Sequence, residues 1–170
     1  MKPLLHLSFN GYLPRVLKPR QPDGSDFTKP KTIYTETLPD RVSFAPTVQG
    51  CINGTYANWS KLFEESDEPH LYAYVYAAVP TARTRFIPPE VLADNLWDYH
   101  LTGEVATTTP VIITKVARIK ITNPYAKGAK LPRSKEVYGR AYDDPANEER
   151  FIAPIVEYKV VGKYSSVSFR

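Results

Sequence analysis

The chain has 170 residues, 42 % of them hydrophobic and 24 % charged, with a net charge of +4; these are ordinary values for one domain with a sizeable core and argue against a disordered chain. A single cysteine, Cys51, excludes an intrachain disulfide and a cysteine-based zinc cluster, and no apolar run reaches the length of a membrane span. Sixteen prolines argue against a helical bundle, while twelve tyrosines and seven phenylalanines favour half-buried strands. The expected class is a β-rich α+β domain spanning residues 1–170.

The mild positive charge suits an anionic ligand such as a nucleotide, and equally an ordinary solvated surface. Basic residues are spread along the chain without a polybasic run, which makes a nucleic-acid-coating surface the weaker reading. The apolar part of "MKPLLHLSFNG" is too short for a signal peptide, so the expected location is the cytoplasm, with no membrane partner.

In chain order, "LLHLSF" (4–9) reads as a first strand, and its nearly continuous apolar character predicts a place inside a sheet. "NGYLPRVLKPRQPDGSDFTKPK" (10–31) predicts a long irregular loop, rich in proline and carrying Arg15, Lys18, Arg20, Lys29 and Lys31. A loop of that kind beside a strand end could embrace phosphates. "RVSFA" (41–45) alternates as a strand with Val42 and Phe44 on one face. After Pro46, the positions Val48, Cys51, Ile52 and Tyr56 recur at helical spacing, which predicts a helix over 47–63. Cys51 falls on the apolar side of that helix and reads as a buried small hydrophobe rather than a nucleophile.

"HLYAYVYAAVP" (70–80) predicts a strand with Leu71, Ala73 and Val75 toward the core and Tyr72, Tyr74 and Tyr76 on the other face. "PPEVLADNLW" is a proline-started helical turn, "LTGEVA" a small strand after a glycine, and "VIITKVARIKI" a long sheet strand. Residues 123–150 read as polar and turn-rich. "FIAPIVEYKVVG" and "KYSSVSFR" predict a closing β-hairpin about Gly162 and Lys163.

His6, Arg41 and Glu104 each sit in or beside a separate predicted strand, in apolar surroundings where a polar group needs a partner. Taken singly, each has an ordinary structural explanation. In order, however, "HLS", "RVSFA" with its helix, "YAYVY" and "TGEV" before "TPVIITKVARIKI" resemble the ADP-ribosyltransferase fold over about residues 4–121. The pattern is that of the poly(ADP-ribose) polymerase and RNA 2′-phosphotransferase branches; residues 123–170 form a C-terminal extension. The resemblance implies split, curved antiparallel β-sheets around a nucleotide cleft, with a few short helices.

The resemblance also implies roles. His6 looks like the residue that hydrogen-bonds the adenosine ribose of NAD, with Ser8 beside it. Glu104 looks like the catalytic glutamate that grips the nicotinamide ribose and steadies an oxocarbenium ion. Arg41, Arg15 and Arg20 would neutralise the pyrophosphate, and Ser43 and Phe44 stand on the strand that meets the cofactor. Leu7 stands where these families have glycine. Ser43 stands where the polymerase branch has a stacking tyrosine, and a serine there is similar to the toxin-like branch, which pairs an arginine with a serine-bearing strand.

The implied activity is ADP-ribosyl transfer from NAD to a protein or nucleic-acid acceptor, with no metal expected. The alternatives are a non-catalytic module for ADP-ribose or another NAD-derived or cyclic nucleotide, and an enzyme of the RNA 2′-phosphotransferase type. Size and composition are compatible with a bacterial or phage toxin, effector or anti-defence protein.

Overall fold

Strand formation follows the alternation of apolar residues, and the longest strands organise the rest. The computed structural model describes residues 2–20, 38–96, 99–128, 134–140 and 148–166; in 56–58, 95, 134–140 and 148–154 it describes the backbone alone. Within these residues the architecture is mixed α+β, with antiparallel sheets and a few short helices. Strand β1 is Leu5–Ser8, β2 Val16–Leu17, β3 Val42–Phe44, β4 His70–Val79 and β5 Val105–Thr107. Strand β6 is Val111–Thr122, β7 Ser134–Arg140, β8 Glu148–Pro154 and β9 Tyr158–Lys163. The helices are α1 Val48–Gly54, α2 Tyr56–Ser66, α3 Pro89–Asn95 and α4 Tyr99–Thr102.

The main sheet runs β1-β4-β6, and the outer edge of β6 is shared by β2 at its start and β9 towards its end. Its β4–β6 ladder extends from His70↔Thr122 to Val79↔Ile112, with a bulge at Val75/Tyr76 that adds local twist. One face of this sheet buries Leu5, Leu7, Ala73, Val75, Ile119 and Ile121 beneath α1 and α2, which contribute Val48, Cys51, Ile52, Trp59 and Phe63. The other face meets the two-stranded β3–β5 sheet in a smaller core of Val42, Phe44, Tyr76, Val111 and Ile113. Helix α3 closes a third cluster of Leu38, Ile87, Leu92, Leu96 and Ala106.

Five expectations are modified. β1 lies at the end of the main ladder, not inside it, but its outer edge is covered: Leu5 and Ala45 exchange two backbone hydrogen bonds of 2.8 Å. The helix expected over 47–63 breaks at Thr55, whose hydroxyl donates to Cys51 O; the Trp59 indole N–H then donates to Ile52 O across the break. The basic loop contains β2, although Lys29 and Lys31 lie outside the described residues. Within the polar stretch 123–150, β7 pairs with β8. Finally, β9 runs straight through Gly162, with a bulge at Arg118/Ile119, so no hairpin turns there.

Candidate functional site

Alternation along β1 turns Leu5 and Leu7 into the main core and leaves His6 and Ser8 on the opposite face. The same alternation on β3 sends Val42 and Phe44 into the smaller core and puts Ser43 on the reverse side with Arg41. Leu7 therefore keeps its side chain away from the His6 face.

Glu104 is presented by a short device. Helix α4 ends at Gly103, whose φ of +59° is left-handed and whose N–H donates to Tyr99 O at 2.7 Å. Thr102 Oγ1 then accepts from the Glu104 N–H at 3.2 Å, and β5 begins at Val105. Helix α4 itself docks on α1 because Gly50 has no side chain: a Cβ there would lie 2.3 Å from Thr102 O. Asn53 Nδ2 adds a hydrogen bond to Leu101 O at 2.9 Å. Helix α1 is in turn fixed at its start by Thr47, whose Oγ1 accepts from the Gly50 N–H.

The result is a convergence of three strands. Ser43 Oγ donates to Glu104 Oε1 at 2.5 Å, and Arg41 Nε donates to the same oxygen at 3.4 Å. Among the described residues no hydrogen bond reaches Glu104 Oε2. Arg41 is only 6 % exposed, and its Nη1 has no hydrogen-bond partner among the described residues. A buried guanidinium with an unused donor is costly unless something anionic or carbonyl-bearing completes it.

His6 Nδ1 lies 3.0 Å from Ser43 O. A carbonyl can only accept, so Nδ1 carries the proton and Nε2 is left as an acceptor. Burial holds the His6 pKa below the ordinary 6.5; the Ser43 carbonyl opposes this and the nearby Arg20 charge adds to it. The ring is thus neutral near pH 7. Phe44 supports it edge-on, with centroids 5.9 Å apart.

The remaining sequence candidates divide. Arg20 belongs to the group: its backbone exchanges two hydrogen bonds with Arg41, and its charge reaches His6. Ser8 lies on the His6 face, where its hydroxyl accepts from the Asn10 N–H in a turn. Arg15 is exposed and lines a groove with Tyr12, Tyr76 and Lys115, a groove that His6, Arg41 and Glu104 do not line. Cys51 is buried, its thiol pushed up to about 12 by burial while it donates to Leu5 O. The supporting residues Gly50, Thr102 and Gly103 were missed as site residues; "TG" before Glu104 signalled the last two, and nothing local signalled Gly50.

Among the described residues no cluster of three His, Cys, Asp or Glu side chains could hold a metal ion, and no helix is long and apolar enough to cross a membrane. Comparison with protein-family models, with curated proteins and with solved structures gave no match.

Proposed function

We propose that the chain is an NAD-dependent ADP-ribosyltransferase, with its nucleotide site at the Arg41–Ser43–Glu104 group beside β1. The observation that carries this reading is the Arg41–Ser43–Glu104 group: one carboxylate oxygen is held by a hydroxyl and a buried guanidinium. The neutral His6 lies on the adjoining strand, one hydrogen bond away from Ser43. His6 and Glu104 are the residues to which the sequence resemblance assigns ribose binding and catalysis.

In the proposed reaction the C–N bond between ribose and nicotinamide breaks, and its electron pair leaves with nicotinamide, which becomes neutral. Positive charge passes to the ribosyl ring, the acceptor adds at the same carbon, and the acceptor's proton is lost to Glu104 or water. Glu104 would stabilise the cationic ring, an electrostatic contribution that depends on a carboxylate already held in place. Ser43 and Arg41 would supply that placement, with Glu104 Oε2 turned to the nicotinamide ribose. His6 Nε2 would accept from a ribose hydroxyl, and the unused Arg41 Nη1 would donate to the ligand.

The test is nicotinamide release from NAD, followed by chromatography for wild type and Glu104→Gln. Release should fall about a hundredfold or more in the variant with its melting preserved; undiminished release would contradict the proposal. If neither protein releases nicotinamide but ADP-ribose raises the melting temperature, the non-catalytic module is the better account.

A further inference from the structure

The five strands of the main sheet contain none of the chain's eighteen acidic residues, yet they carry Lys115, Arg118, Lys120, Lys159 and Lys163. The face of β4 and β6 opposite α1 and α2 interleaves cations with tyrosines; its Tyr76 end is covered by the β3–β5 sheet, and the part beyond that cover is open. Tyr72 is paired with Lys120, Tyr74 with Arg118 and Tyr76 with Lys115. Tyr72 is 46 % exposed, and the Arg118 guanidinium lies 4.2 Å from its ring centroid. The Lys115 ammonium lies 5.0–6.0 Å from the rings of Tyr12, Tyr74, Tyr76 and Tyr164. Tyr12 is 91 % exposed beside a groove of about 600 Å³ that Arg15 and Lys115 also line.

Lys120 and Lys159 are directly opposite each other on β6 and β9. Like charges in that position repel and weaken a sheet unless an anion lies between or above them. The acidic turn Glu64–Glu68 offers no relief on this face, because it ends α2, which packs on the opposite side. The face also reaches the site directly, since Tyr76 is the register partner of His6 and Tyr74 that of Ser8.

We infer that this face is the docking platform for a single-stranded nucleic acid, which is the acceptor of the proposed transfer; the inference rests on that reading only for the word acceptor. Cations would track the phosphates, and exposed tyrosine rings would stack on bases, which a duplex keeps stacked on one another. The chain's modest net charge conceals this, because none of its acidic residues falls within the five strands; Glu157 flanks the start of β9, opposite Thr122.

The test is fluorescence anisotropy, without NAD, using labelled oligo(dT) and oligo(U) of about twelve nucleotides, a duplex of the same length, and polyglutamate as competitor. Either single strand should bind better than the duplex, and its affinity should drop about a hundredfold between about 50 and 200 mM salt for five phosphate contacts. Which of the two binds better decides between DNA and RNA as the source. Tyr72→Ala should weaken binding about tenfold. The Lys120→Ala/Lys159→Ala pair should flatten the logarithmic salt slope by about 1.4.

Nicotinamide release without acceptor should be unchanged in these variants, and the Lys120→Ala/Lys159→Ala pair, relieved of its repulsion, should melt no lower than wild type. Absence of single-strand binding at low salt, equal binding of the duplex, displacement by polyglutamate at equal charge, or a doubled mass in light scattering would each overturn the inference. Binding by a protein that does not cleave NAD would leave it standing and remove the enzymatic reading instead.

Discussion

Arg41 is the residue whose burial demands most explanation. Removing such a guanidinium leaves the Glu104 carboxylate, itself only 14 % exposed, with Ser43 as its remaining partner. Arg41→Met should therefore destabilise the fold by on the order of 2 kcal/mol, read as a shift in the urea midpoint; an unchanged midpoint would mean that the pair contributes nothing net. Cys51, by contrast, should be silent. With its thiol raised to about 12 by burial, it should react with a disulfide reagent only after denaturation, and fast reaction in the native state would contradict its placement.

His6 gives a pH prediction with a definite sign. Its folded pKa lies below the ordinary 6.5, so above about pH 6.5 the ring is neutral in both states and favours neither. As pH falls below 6.5 the unfolded chain takes up the proton first, and stability drops until the folded pKa is also passed. Wild type should therefore lose stability relative to His6→Gln on going from about pH 7 to pH 5, measured by denaturant unfolding at each pH. The opposite trend would mean that the folded pKa is raised.

At the level of elements, the site depends on one close approach of helices. Ordinarily Gly→Ala within a helix stabilises by roughly 0.5–1 kcal/mol. At Gly50 the added carbon would meet Thr102 O at 2.3 Å, and α4 would have to withdraw, taking Gly103 and Glu104 with it. Gly50→Ala should lower the melting temperature by several degrees, at roughly 2–4 °C per kcal/mol for a chain of this size, and slow nicotinamide release. A variant as stable and active as wild type would show that α4 has room to move.

Elements whose causes are local were legible in the sequence. Alternation in "LHLS" and in "TKVARIKI" gave β1 and β6, "PPEV" opened α3, and the glycine before Glu104 marked the turn into β5. The break at Thr55 was not legible, because it depends on an indole reaching back to Ile52 O. Strand β7 was hidden in a polar stretch, since its regularity lies in pairing with β8 across residues 141–147.

For the whole molecule, the sequence named His6, Arg41, Ser43 and Glu104, but not their connections. Ser43 and Glu104 are 61 residues apart, and nothing periodic in the chain reveals that one hydroxyl and one guanidinium share a carboxylate oxygen. The basic face was missed for a related reason. Lys120 and Lys159 are distant in sequence and become neighbours only when β9 joins β6, so a search for charge runs passes over them. Sequence patterns show which face a residue takes, and register decides which residues it meets.

In the proposed site Ser43 acts through Glu104. The most direct test is the rate of nicotinamide release from NAD in a double-mutant cycle of Ser43→Ala, Glu104→Gln and the two combined. Ser43→Ala should lose about tenfold, Glu104→Gln about a hundredfold or more, and the double variant no more than Glu104→Gln alone. Losses that multiply would contradict it, because the hydroxyl and the carboxylate would then act independently.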